Sequence, residues 1–175
     1  MPIPTSAAAL LALLDRFPRR ILGLTALVCV GLLVFGLYLQ HAVGLEPCPM
    51  CIVQRYALVL VALLAGVTAL FRGGLWYAGG LVTLAVVAGF GAFVAARQSF
   101  LQWYPPEVLS CGRDLYGMIE SFPLKRVIPM LFKGSGDCSA VDWTFLGLTI
   151  ANWSFLWFSG FAVLALVLLL RRPRA

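Results

Sequence analysis

The 175-residue chain is 62% hydrophobic and 11% charged, with a net charge of +6 and a mean hydropathy of +0.96. Soluble domains run at roughly 45–50% apolar and about 25% charged, so this chain cannot cover a water-facing surface. The apolar content excludes disorder. The basic residues are scattered between apolar segments, which argues against nucleic acid as a partner. An integral membrane protein is the class that is left.

Four segments have the roughly 17–25 apolar residues that a bilayer core demands. Taken in chain order they are about 21–39, 52–71, 75–96 and 153–170 of a single membrane domain, residues 1–175. The first exceeds a signal-peptide core and lacks an A-x-A site after it, so it reads as an uncleaved span. The second carries Gln54 and Arg55 near its start. The third has small residues at Ala85, Ala88, Gly89, Ala92 and Ala95, a stripe suited to close helix packing. The expected fold is all-α, a four-transmembrane-helix bundle with two loops on one side, about 40–51 and 97–152.

Charge sets the orientation. Arg16, Arg19, Arg20, Arg72, Arg171, Arg172 and Arg174 fall on one side with Asp15, whereas the long loop balances its basic and acidic residues. The positive-inside rule places both termini in the cytoplasm and both loops outside. Trp76, Trp103, Tyr104, Trp143, Trp153 and Trp157 lie near span ends, as an aromatic belt does.

The chemistry is in the cysteines. Cys29 lies mid-span and reads as a small apolar filler. Cys48 and Cys51 fall in the first outside loop, Cys111 and Cys138 in the second. An oxidising compartment permits disulfides there. Four cysteines allow three connectivities, and one bridge per loop is the natural choice.

Cys48-Pro49-Met50-Cys51 has three readings. A structural bridge closing so short a loop constrains the unfolded chain little. A tetrathiolate zinc site prefers two close pairs, but 26 residues separate Cys111 from Cys138. Redox exchange suits the motif, because one thiol attacks or leaves and its neighbour resolves it. Pro47 and Pro49 suit a helix start, which sets Cys51 at the positive end of the second helix. Arg55, four residues on, shares its face. Both effects favour a thiolate, and a cation at a membrane edge is a functional candidate.

Between Cys111 and Cys138, the stretch from Leu124 to Phe132 has the make-up of a surface-lying segment, interrupted by Pro129. Gly134-Ser135-Gly136 gives the Cys138 end freedom to exchange. A relay follows: an outer disulfide oxidises a soluble dithiol, and a dithiol at the membrane surface reoxidises it. The chain has no flavin, haem or nucleotide motif, so the acceptor is expected to be lipid-soluble. A quinone fits.

These residues resemble the DsbB family, the quinone-dependent membrane oxidases that regenerate the periplasmic dithiol oxidase DsbA. The resemblance covers nearly the whole chain: four spans, Pro47-Cys48-x-x-Cys51 with Arg55, Tyr104-Pro105, Cys111, Gly134-Ser135-Gly136-Asp137-Cys138 and Phe145-Leu146-Gly147-Leu148. It implies a thiol:quinone oxidoreductase in the bacterial inner membrane, with its active cysteines facing the periplasm. It implies disulfides Cys48–Cys51 and Cys111–Cys138, attack on Cys111 by a soluble periplasmic DsbA-like partner, and resolution by Cys138 through Cys48. Cys51 would then face the quinone, with Arg55 helping to hold it. Ubiquinone is the first expectation and menaquinone the second. Better-known members carry a histidine after the third span, where this chain has Arg97-Gln98-Ser99. His41 reads as an interfacial residue. The competing classes are a structural membrane protein with stapled loops and a thiolate metal-binding protein.

Overall fold

A computed structural model describes residues 12, 14–45, 48–71, 74–105, 141 and 143–171. Cys111, Cys138, Pro47, the Leu124 to Phe132 stretch and Gly134-Ser135-Gly136 lie outside these residues. Four long helices dominate: α1 Pro18–Ala42, α2 Pro49–Thr68, α3 Gly74–Trp103 and α4 Ile150–Leu170. A small hairpin, β1 Thr144–Phe145 and β2 Leu148–Thr149, leads into α4. Leu146 and Gly147 both have positive φ (52° and 78°), the combination that a two-residue primed turn needs.

Each helix is long and apolar enough to cross a bilayer, and between 17% and 39% of each apolar window is buried in the bundle. Leu27, Leu63, Val86 and Phe93 point outward. Soluble monomers rarely expose continuous apolar belts of this extent. The chain is a multi-pass membrane protein built as a four-helix bundle.

Among hydrocarbon tails, apolar burial gives little drive between helices, so association rests on fit. The buried face of α3 runs Tyr77, Leu81, Leu84, Ala88, Gly91, Ala95, Gln98, alternating steps of three and four as a bundle seam does. Gly91 leaves room for Phe158 of α4, because an added Cβ would sit 2.5 Å from its ring. Gly80 makes the same allowance for the Thr68 side chain of α2. The expected stripe of small residues is therefore shifted: Ala88 and Ala95 are buried, but Gly89 is exposed. Cys29 packs in the mid-bundle core with Ala57, Val61, Ala88, Phe158 and Phe161, the setting of a small filler.

The helices begin and end differently from the apolar runs. α2 starts at Pro49 with Cys48 as its N-cap, and α4 starts at Ile150 with Thr149 as its N-cap. α3 continues seven residues past Ala96. Arg97 marks the end of the apolar run, but its guanidinium lies over the Phe100 ring at 5.6 Å, so the helix tolerates it at an interface. Pro105 supplies the stop, since a residue before proline is kept out of helical geometry. Residues 97–103, expected in the outside loop, are thus part of the bundle.

At one end, Arg171 grips Asp15 with two hydrogen bonds of 2.7 and 2.5 Å, and Arg19 Nε donates to the Ala69 carbonyl at 2.6 Å. Successive helices pack extensively, α1 on α2, α2 on α3 and α3 on α4, whereas α1 and α4 share few contacts. The gap between α1 and α4 holds the site.

Candidate functional site

Pro49 has no N–H to leave unsatisfied at the first turn of α2 and its φ is already helical. Cys48 therefore takes the N-cap, where its Sγ accepts the Cys51 backbone N–H at 3.3 Å. The first turn then brings the two side chains together, with Sγ atoms 2.7 Å apart. A disulfide is about 2.05 Å long, and the two sulfurs are close enough for one to form between them. Sequence reasoning placed Cys51 at the positive helix end. The structure places both cysteines there, and it is Cys48 that receives the backbone N–H, because the helix starts one residue after it.

Gln98 is the residue that sequence reasoning missed. Its Nε2 donates to Cys48 Sγ and to Cys51 Sγ, at 3.3 Å each. Its Oε1 accepts from Gln54 Nε2 at 2.7 Å. Both amides are buried, Gln54 at 6% and Gln98 at 4% exposure. The signal is present in the spacing, because Gln98 continues the buried seam of α3 and Gln54 lies on the buried face of α2. Helical periodicity carried through the polar residues puts each on the buried face of its helix, and only the packing of the helices pairs them.

Arg55 reaches from α2 to α1, donating to Gln40 Oε1 at 2.5 Å and to the Gly36 carbonyl at 3.1 Å. His41, one residue beyond Gln40, is exposed at the helix end.

These groups face one cavity of about 660 Å³, bounded by α1, α2, α3, the hairpin and α4. Cys48, Cys51, Gln54, Arg55 and Gln98 form its polar side, and Leu32, Leu58 and Phe158 contribute to an apolar remainder. Trp143 stacks on Phe145 at 6.0 Å and meets Phe35 of α1 edge-on. Trp153 Nε1 donates to the Phe145 carbonyl at 3.1 Å, and Thr149 Oγ1 donates to Gln102 Oε1 at 2.7 Å. The hairpin is thereby tied to α3 and α4 and supplies an aromatic wall. Among the described residues, no three His, Cys, Asp or Glu side chains gather where they could hold a metal ion. The arrangement can switch a sulfur pair between dithiol and disulfide beside an apolar, partly cationic space.

Comparison with known proteins places these residues in context. The family model described as Disulfide bond formation protein DsbB matches residues 18–168. A disulfide bond formation protein B of Polaromonas sp. (strain JS666 / ATCC BAA-500) is 70% identical over 162 residues, covering 91% of this chain and 95% of the relative. That of Polaromonas naphthalenivorans (strain CJ2) is 68% identical over 164 residues, covering 94% and 98%. That of Azoarcus sp. (strain BH72) is 57% identical over 147 residues, covering 82% and 87%. No solved structure matches the chain.

Proposed function

This chain belongs to the DsbB family of disulfide bond formation proteins, and we propose that it reoxidises a soluble periplasmic DsbA-like dithiol and passes the electrons to a membrane quinone. Membership makes it a disulfide-generating oxidoreductase of the membrane. One observation carries the finer reading: Cys48, Cys51 and Arg55 line a cavity of about 660 Å³ whose remaining walls are largely apolar. A quinone presents a flat apolar ring with carbonyl acceptors, and these residues suit both parts.

In the proposed cycle Cys111–Cys138 takes two electrons from the soluble partner, which leaves with a disulfide of its own. The Cys111 and Cys138 thiols then exchange with Cys48–Cys51, attacking at Cys48. One S–S bond breaks, one re-forms, and two electrons and two protons arrive on Cys48 and Cys51. Cys51 leaves as a thiolate at the cavity wall, in the first turn of α2 where the helix dipole favours negative charge. Arg55, fixed to α1 through Gln40 and Gly36, adds a positive charge beside it. Re-forming the Cys48–Cys51 bond releases two electrons and two protons, which are what a quinone takes up when bound.

The whole chain, residues 1–175, works as one membrane domain in the bacterial inner membrane, with the cysteine end toward the periplasm. The Arg19 and Arg171 contacts at the opposite end support a cytoplasmic location for that end. Reduction of a short-chain ubiquinone, and separately of a menaquinone, by purified protein with a reduced dithiol partner tests the reading. Two thiols consumed per quinone is the expected ratio. Labelling of Cys111 in intact cells by a membrane-impermeant thiol reagent tests the orientation, and labelling only from the cytoplasmic side overturns it.

A further inference from the structure

We propose that Gln98 is a catalytic residue, the neutral hydrogen-bond donor that stabilises negative charge on whichever of Cys48 and Cys51 is the thiolate, and that Gln54 is the positioning residue that aims it. The inference rests on the thiol–disulfide reading of Cys48 and Cys51.

The geometry is specific. The Gln98 amide nitrogen lies 3.3 Å from each sulfur and the sulfurs are 2.7 Å apart, so one of its N–H groups points between them and is shared. One side chain therefore serves both members of the pair. When the disulfide is broken, the charge can sit on either sulfur without any rearrangement of the donor. A thiolate accepts such bonds far better than a disulfide sulfur does, because donors to charged groups are roughly twice as strong. The amide thus favours the reduced, anionic state over the oxidised one.

A lone amide could turn over and present its carbonyl, which would oppose a thiolate. Gln54 prevents that by donating to Gln98 Oε1 at 2.7 Å, which holds the carbonyl away from the sulfurs. Both glutamines are almost wholly buried, so water does not compete for the amide. Among the described residues that line the cavity, the titratable or charged side chains are Cys48, Cys51 and Arg55. Gln98 adds a donor with no titration of its own, so the stabilisation it gives does not switch with pH.

The test is the pH profile of Cys51 alkylation by iodoacetamide in the reduced, detergent-solubilised full chain, read from the Cys51 peptide by mass spectrometry. It needs neither quinone nor partner, so it stands apart from the turnover assay that tests the oxidase reading. Gln98→Leu is expected to move the midpoint up by roughly one pH unit, a tenfold change in thiolate population. Gln98→Glu, nearly isosteric, places a carboxylate against the sulfurs and is expected to move it further. Gln54→Leu removes the donor that holds the Gln98 carbonyl away from the sulfurs and adds no charge, and a smaller rise is expected. Gln98→His restores a donor but adds an inflection near the imidazole range, about 6.5. If Gln98→Leu fails to fold, Gln98→Met and Gln54→Leu, which add no charge, decide the matter in the same way. Midpoints unchanged from wild type in the uncharged Gln98 variant and in Gln54→Leu, with the thermal midpoint retained, overturn the proposal.

Discussion

Arg55 Nη1 donates to Gln40 Oε1 at 2.5 Å, and Nη2 donates to the Gly36 carbonyl at 3.1 Å, so one guanidinium on α2 is clamped across the cavity to α1. A fork of donors in a plane does this; a lysine cannot. The cation is held in place where the cavity meets Cys51.

Arg55→Met is expected to raise the KM for the quinone by roughly tenfold, the cost of losing a charged hydrogen-bonding group. Arg55→Lys keeps the charge and loses the fork, so an intermediate value is expected. Gln40→Leu leaves the Gly36 contact and is expected to give the smallest rise. Quinone titrations of turnover, separating KM from kcat, check the order. Equal effects from all three contradict the clamp.

Gly91 of α3 leaves room for Phe158 of α4, with 2.5 Å between an added Cβ and the ring. Gly91→Ala overpacks that contact and is expected to cost about 1–3 kcal/mol. Phe158→Leu in the same chain is expected to recover part of the loss. Thermal unfolding in detergent of both single variants and the double reads the coupling.

Thr149 caps α4 by accepting the Asn152 N–H at 3.3 Å and donates to Gln102 Oε1 at 2.7 Å. Thr149→Val keeps the shape and removes both bonds, for an expected loss of about 1–2 kcal/mol. Thr149→Ser, which keeps the hydroxyl, is expected to lie close to wild type. Chemical or thermal unfolding of the two variants distinguishes the hydroxyl from the methyl.

The Arg171 guanidinium beside Asp15 holds that carboxyl below the usual carboxylate range, chiefly through their hydrogen bonds. A lowered folded-state value means stability that is present above the unfolded value, about 3.9, and is lost as pH falls through the folded one. Both side chains are exposed, at 39% and 43%, so solvent screening leaves little of it. Asp15→Asn is expected to leave the thermal midpoint near pH 7 almost unchanged and to flatten its fall below about pH 4. A large loss at pH 7 contradicts this.

Much of the bundle was legible in the sequence, because apolar length is the one property a span cannot hide. The four helices, the Cys48-x-x-Cys51 pair and Arg55 all follow from runs and spacings along the chain. The rest depends on contacts between helices. Arg97 ends an apolar run but not a helix, so α3 was read short and Gln98 was placed in a loop. Gln54 stood out only as a polar interruption, and its partner is 44 residues away, a separation that no local pattern encodes. Gln40 was read as the start of a loop, whereas α1 continues to Ala42 and makes it the Arg55 acceptor. The seam of α3 is partly visible in the sequence, but choosing Gly91 over Gly89 requires knowing where Phe158 lands.

The most direct measurement of the central claim is a single turnover without any soluble partner. Fully reduced protein is mixed with one equivalent of ubiquinone, and quinone reduction is followed alongside the state of Cys48 and Cys51 by mass spectrometry. The account predicts quinone reduction matched by formation of the Cys48–Cys51 disulfide, and neither in Cys51→Ser. Reduction that persists undiminished in Cys51→Ser, or a reduced wild-type protein that leaves the quinone untouched, would contradict it.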